Sequence, residues 1–148
     1  MSGRLKLLDT NVWLALVVGP HPLHVPAENW FSVQTGTRNH VFCRATQQSF
    51  LRLLTTESVL RGYGMPALTN AGAWRQFEQL LNDARVGFAE EPPGLEAHWK
   101  AFTNRNTASP KIWMDAYLAA FAVAGGHQLI TTDKGFAQYT GLDFHLIS

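Results

Sequence analysis

Leu5-Lys-Leu-Leu-Asp9-Thr-Asn11-Val-Trp13-Leu-Ala-Leu-Val-Val18 opens with a short apolar strand that stops at Asp9. A helical segment from about Val12 to Val18 follows and ends at Gly19-Pro20. A strand bounded by an acid and then a helix is the unit that builds a parallel sheet. The pattern recurs along the chain. Short strands are expected at Leu5 to Leu8, His40 to Cys43, Val86 to Ala89, Gln128 to Thr131 and Phe144 to Ile147. Helices are expected from the His21-Pro-Leu-His24 turn to Val33, over Ala45 to Thr55, Asn70 to Ala84 and Leu95 to Phe102, and from Ser109-Pro110 to Ala124 before Gly125-Gly126. Ser58 to Thr69, with two Gly and one Pro, reads as a connector, and Asp133 to Tyr139 as short and irregular or helical. The fold class is therefore α/β: a central, mostly parallel sheet of four to five strands flanked by helices, in a single domain over residues 1–148.

Composition narrows the chemistry. Twelve Lys and Arg stand against eleven Asp and Glu, and charged residues make up 16% of the 148-residue chain, below the roughly 25% of ordinary domains. A formal net charge of +1 excludes a polybasic tail but leaves room for a local basic patch. The single cysteine, Cys43, allows no intramolecular disulfide and sits in the apolar run Val41-Phe42-Cys43, as a buried, inert thiol would. Asp9 and Asn11 interrupt what would otherwise resemble a signal peptide, and no apolar run reaches the ~18 residues of a membrane span. The expected compartment is the cytoplasm.

With few acids, each can be placed. Ligands of an open parallel sheet bind beyond the carboxyl ends of its strands. Asp9 ends the first strand and Asp133 follows the fourth in Ile130-Thr131-Thr-Asp133. Asp115 lies near the start of the Ala-rich helix and shares a face with Ala119, Ala122 and Val123, so it should travel with the face that packs on the sheet. Each acid alone has a plainer explanation: a helix cap for Asp9, a turn for Asp133, an ion pair for Asp115. Three carboxylates at one rim repel each other unless a cation is present, and hard divalent ions take oxygen ligands. Such centres hydrolyse phosphodiesters by activating water and neutralising charge. If these three acids serve one site, the other eight face twelve Lys and Arg, so a near-neutral chain becomes a basic body around an acidic pocket.

Other candidates are weaker. His21 and His24 have metal-like spacing, but Pro22 lies between them and no acid or cysteine is placed to join them, so capping or packing is expected. The five tryptophans, Trp13, Trp30, Trp74, Trp99 and Trp113, could stack bases; all but one sit in apolar helical patterns, which favours core or dimer packing. Ser49 has no nucleophile elbow around it, and no Gly-rich phosphate loop is present.

Taken in order, these segments resemble the PIN-domain ribonucleases, and within them the VapC-like toxins of bacterial toxin–antitoxin pairs. Leu-Leu-Asp9-Thr-Asn11 is similar to the family's strand-end aspartate segment, and His21-Pro-Leu-His24 with Ala27 and Trp30 to its next helix. Thr46-Gln-Gln-Ser-Phe-Leu-Arg52 resembles the segment that usually carries a Glu, and Trp113-Met-Asp115-Ala-Tyr-Leu-Ala-Ala-Phe-Ala and Thr131-Thr-Asp133-Lys-Gly-Phe136 its later acidic segments. The resemblance implies a PIN-like three-layer sandwich and a metal-dependent endoribonuclease. It implies Mg2+ or Mn2+ held by Asp9, Asp115 and Asp133, with Asn11 and Thr131 orienting ligands or water. A VapB-like antitoxin whose tail blocks the site, a homodimer, and structured RNA such as tRNA or rRNA as substrate are also implied. Arg44, Arg52, Lys111 and Lys134 are candidates for phosphate contacts.

One position departs from the family pattern. Gln47 stands where many relatives have Glu, on the helical face of Phe50, Leu51 and Leu54, and should point inward near the rim. An amide can ligate a cation but adds no charge, so weaker metal binding is expected. Glu57 lies too far along to substitute, roughly 15 Å down a helix. The alternatives are a non-catalytic RNA- or protein-binding module on the same fold, a DNA nuclease, and a dehalogenase-like phosphatase. The last needs a second Asp where this chain has Asn11.

Overall fold

The computed structural model describes residues 4–148, so residues 1–3 of the expected domain lie outside it. The elements run β1 (Lys6–Leu8), α1 (Thr10–Val17), α2 (His24–Ser32), β2 (His40–Phe42), α3 (Arg44–Leu54), α4 (Glu57–Gly62), α5 (Asn70–Leu81), β3 (Val86–Phe88), α6 (Leu95–Thr103), α7 (Trp113–Gly125), β4 (Gln128–Thr131), a 3-10 helix (Lys134–Gln138) and β5 (Phe144–Leu146). The five strands form one sheet in the order β3-β2-β1-β4-β5, and every neighbouring pair is parallel. The expected mostly parallel sheet is thus parallel throughout. The chain builds outward from β1 to β3, then crosses to the other side of β1 to add β4 and β5. That reversal makes the β1/β4 boundary the switch point at which open α/β sheets bind ligands.

Two-residue alternation along the strands separates the cores. Leu8, Phe42 and Ile130 point to one face and pack with Trp13, Ala27, Phe50, Leu60 and Phe77 from α1 to α5. Leu7, Val41 and Leu129 point to the other and pack with Leu95, Ala119, Phe121 and Ala122 from α6 and α7. Strands buried on both faces read as near-continuous apolar runs, as these do. The first core centres on Phe42. Its ring stacks on Trp13 at 4.0 Å and meets Phe50 and Phe77 edge-on.

Three local expectations are corrected. The connector over Ser58 to Thr69 is instead helical at its start, where it overlaps α4, whose one buried anchor, Leu60, gives no apolar period to read. α1 starts at Thr10 rather than Val12, because Asp9 takes the cap position and accepts a hydrogen bond from the Thr10 N–H. α7 starts at Trp113, not at Ser109-Pro110. The Ser109 hydroxyl pairs with that of Thr107 at 3.2 Å, and its carbonyl accepts from the Ile112 N–H, so Ser109-Pro110 forms a turn ahead of the helix. At the other end of α7, Gly126 adopts φ +67° and closes the helix in the left-handed region that glycine tolerates.

Truncating Phe42 removes the ring that joins Trp13, Phe50 and Phe77. Phe42→Ala is expected to lower unfolding stability by about 3–5 kcal/mol, read as a lower urea midpoint.

Candidate metal centre at the carboxyl ends of the strands

The sheet brings the three predicted acids to one rim. Asp9 leaves β1 in extended backbone (φ −61°, ψ 152°), and its Oδ1 accepts from the Thr10 N–H at 2.7 Å. Asp133 follows β4 and caps the 3-10 helix, its Oδ1 accepting from the Gly135 N–H at 2.8 Å. Asp115 stands in the first turn of α7, where the helix N-terminus favours a carboxylate. The plain capping roles of Asp9 and Asp133 are therefore real, and each leaves a second oxygen for the rim. Ion pairing does not explain Asp115. Among the described residues the ion pairs are Arg4–Asp143, His24–Glu28, Arg61–Glu57 and Arg85–Asp83, and none involves Asp9, Asp115 or Asp133.

Threonine and asparagine side chains tie the rim together. The buried Thr131 hydroxyl donates to Asp9 Oδ2 at 2.9 Å and accepts from the Asp133 N–H at 3.0 Å, so one side chain links two of the acids. The Asn11 side chain bonds two other residues rather than the acids. Its Nδ2 donates to the Thr132 hydroxyl at 2.8 Å, and its Oδ1 lies 3.0 Å from His21 Nε2. The Leu23 N–H donates to His21 Nδ1 at 2.9 Å, which places the ring proton on Nε2 and makes it the donor to Asn11. His21 thus packs and positions, and His24 bonds the Ala15 carbonyl and Glu28. Thr132 is a site-bracing residue that spacing did not single out, and His21, expected to cap or pack, braces the site through Asn11. The adjacent hydroxyls of Thr131-Thr132 were the available signal.

Electrostatics show what this arrangement lacks. Burial pushes the Asp9 carboxyl from 3.8 up to about 6, against the Thr131 and Thr10 hydrogen bonds, and the charges of Asp115 and Asp133 push the same way. Burial, then the Asp133 charge, also raises Asp115. The three acids therefore feel one another, yet among the described residues no group of three His, Cys, Asp or Glu converges closely enough to hold a metal ion. Like charges at one rim have no reason to close further without a cation between them. The donor set itself, hard carboxylate oxygens with a hydroxyl beside them and no thiol, fits a divalent ion of the magnesium type.

The remaining candidates divide. Gln47 is buried in the first turn of α3, beside the end of β2, and accepts a hydrogen bond from Arg44. The Arg44 guanidinium also lies 4.7 Å over the Phe88 ring, so it is braced at the rim. Lys134 follows Asp133 directly, and Lys111 is exposed just ahead of α7. Arg52 lies eight residues beyond Arg44 on α3, roughly 12 Å along the helix, and does not join them. Tyr139 is a further residue of this region. Its hydroxyl is buried and has no hydrogen-bond partner among the described residues, and burial followed by the Asp115 charge raises it. Cys43 is buried, and burial pushes its thiol up, as an inert core cysteine requires. Trp13 is core, while Trp74 and Trp113 are 48% and 54% exposed.

A family model described as PIN domain matches residues 6–142. Ribonuclease VapC41 of Mycobacterium tuberculosis is 50% identical over 143 residues, covering 96% of this chain and 98% of its own. A VapBC-1 structure from nontypeable Haemophilus influenzae superposes with a TM-score of 0.66 at 19% identity, covering 96% of this chain and 97% of that one. The sarcin-ricin loop cleaving toxin VapC20 of Mycobacterium tuberculosis superposes with a TM-score of 0.65 at 15% identity, covering 89% and 92%. No helix among the described residues is long and apolar enough to cross a membrane.

The raised Asp9 value has a measurable consequence. A carboxyl whose folded value lies above its unfolded one favours folding at low pH, and loses that advantage as pH rises from about 4 through about 6. At neutral pH the loss is about 3 kcal/mol. In chelator at neutral pH, Asp9→Asn should raise the melting temperature, and the gap between variant and wild type should shrink below pH 4. A melting temperature unchanged by the substitution would show that Asp9 carries no such burden.

Proposed function

Since the chain belongs to the PIN domain family and is a homologue of the VapC ribonucleases along nearly its whole length, we propose that it is a divalent-metal-dependent endoribonuclease toxin. The observation that carries this reading is the unpaired trio of Asp9, Asp115 and Asp133 at the switch point of the sheet. The metal proposed is Mg2+ or Mn2+, with the three aspartates as its ligands. When bound, it would supply an activated water and offset charge on the phosphodiester oxygens.

The chain's own residues do the rest. Thr131 holds the free oxygen of Asp9 toward the rim and fixes the backbone of Asp133. Asn11, braced by His21 and Thr132, keeps the start of α1 against the end of β4. Arg44, Lys111 and Lys134 are the proposed contacts to a phosphate backbone, by charge. Gln47 contributes an amide where a carboxylate would add charge, and Arg44 already occupies it. A VapB-like antitoxin as partner, a homodimer as the assembly, and the cytoplasm as the compartment complete the proposal.

Asp115→Asn should remove metal-dependent cleavage of RNA by at least ~100-fold while leaving the circular dichroism spectrum unchanged. Normal cleavage by this variant would overturn the mechanism. Gln47→Glu should tighten Mn2+ binding, less in the presence of Arg44 than in an Arg44→Ala background, as titration calorimetry reads. No gain in either background would mean that Gln47 does not face the ion.

A further inference from the structure

A cleft of about 640 Å3 lies between α6 and the segment leading into α7, and none of the three acids lines it. Its size falls in the range of small-molecule sites, roughly 300–1,000 Å3. Trp99, Lys100, Arg105, Ser109 and Trp113 line it, with Glu96 as the one acid. Trp113 is 54% exposed, which is unusual for the largest apolar side chain. It is nonetheless held in place. Trp99 meets it edge-on at 6.1 Å and 85°, and the Trp99 indole N–H donates to the Trp113 carbonyl at 3.0 Å. Among the described residues neither Lys100 nor Arg105 forms an ion pair. Arg105 instead donates to Gln138 at 2.6 Å.

The cleft is joined to the acidic rim on two sides. Trp113 and Asp115 share the first turn of α7, two residues apart and so on opposite flanks of the helix. Gln138, which Arg105 holds, belongs to the 3-10 helix that Asp133 caps. A strand whose phosphate lies at the acids would pass the start of α7 and reach the cleft with a neighbouring nucleotide. There it would find a fixed aromatic face flanked by two unpaired cations. Aromatic faces with interleaved cations bind single-stranded nucleic acid without strict sequence demand.

We infer that the cleft between α6 and the start of α7 is a nucleobase subsite, in which a base of single-stranded RNA next to the cleaved bond stacks on Trp113 while Lys100 and Arg105 hold its phosphates. The inference rests on the ribonuclease reading and gives that activity a determinant outside the metal centre. It also gives a role to a tryptophan left exposed two residues from Asp115.

Binding is measured by fluorescence anisotropy in an Asp9→Asn background, which should leave RNA uncut. The probes are a short end-labelled single-stranded RNA of mixed sequence and an abasic strand of the same length. Trp113→Ala should weaken binding of the RNA roughly tenfold and leave the abasic strand unchanged, and Trp113→Phe should restore most of the loss. Lys100→Ala should weaken both strands alike and flatten the salt dependence by ~0.7. If Trp113→Ala leaves RNA binding unchanged, or weakens both strands equally, the subsite is wrong; cleavage by the wild type would then still stand, and the cleft would be free for a protein partner. A wild-type protein that neither binds nor cuts RNA would contradict both readings.

Discussion

The half-burial of Asp9 beside the carboxylates of Asp115 and Asp133, at the end of a parallel sheet, is the constraint around which this molecule is organised. Asp9 is drawn in by the fold itself: it directly follows the central strand and caps the first helix. Among the described residues no base forms an ion pair with it, and burial together with Asp115 and Asp133 pushes its carboxyl to about 6. A protein selected for stability alone would place an amide there. The metal-free fold bears a charge conflict that a divalent cation would relieve, so stability and metal affinity are two sides of one quantity.

The surroundings distribute this conflict without cancelling it. Thr131 donates to one Asp9 oxygen while receiving the Asp133 N–H, so both aspartates are tied to the end of β4. The His21–Asn11–Thr132 chain ties the same strand end to the start of α1 from outside. α7 brings Asp115 to the rim on a helix whose Ala119 and Ala122 are fully buried, and small side chains there let the helix approach the sheet closely. The hydrogen-bonded frame sets direction; the charge is left for a ligand to answer.

Much of this was legible in the sequence. The apolar runs ending in Asp9 and in Thr131-Thr-Asp133 carry their strand assignments and site positions with them, because strands buried on both faces tolerate no other composition. Asp115 could be placed because helical periodicity puts it over Ala119 and Ala122. What was not legible depended on single contacts. α4 rests on one buried leucine, and Ser109-Pro110, a sound helix start by residue type, is diverted into a turn by Thr107. The pairing of Gln47 with Arg44 and of His21 with Asn11 depends on side-chain direction, which spacing does not specify. The α6/α7 cleft arises from two segments meeting in space, and only the exposure of Trp113 reveals it.

A divalent cation bound at the rim should resolve the carboxylate conflict at Asp9. Calorimetric titration of Mn2+ into the wild-type protein, repeated in buffers of different ionisation enthalpy, counts the protons released on binding. With Asp9 at about 6, binding at pH 6 should release at least about half a proton per ion, and the release should fall toward zero at pH 8 and be reduced in Asp9→Asn. Binding at pH 6 with no proton release, or no binding at all, would contradict the account.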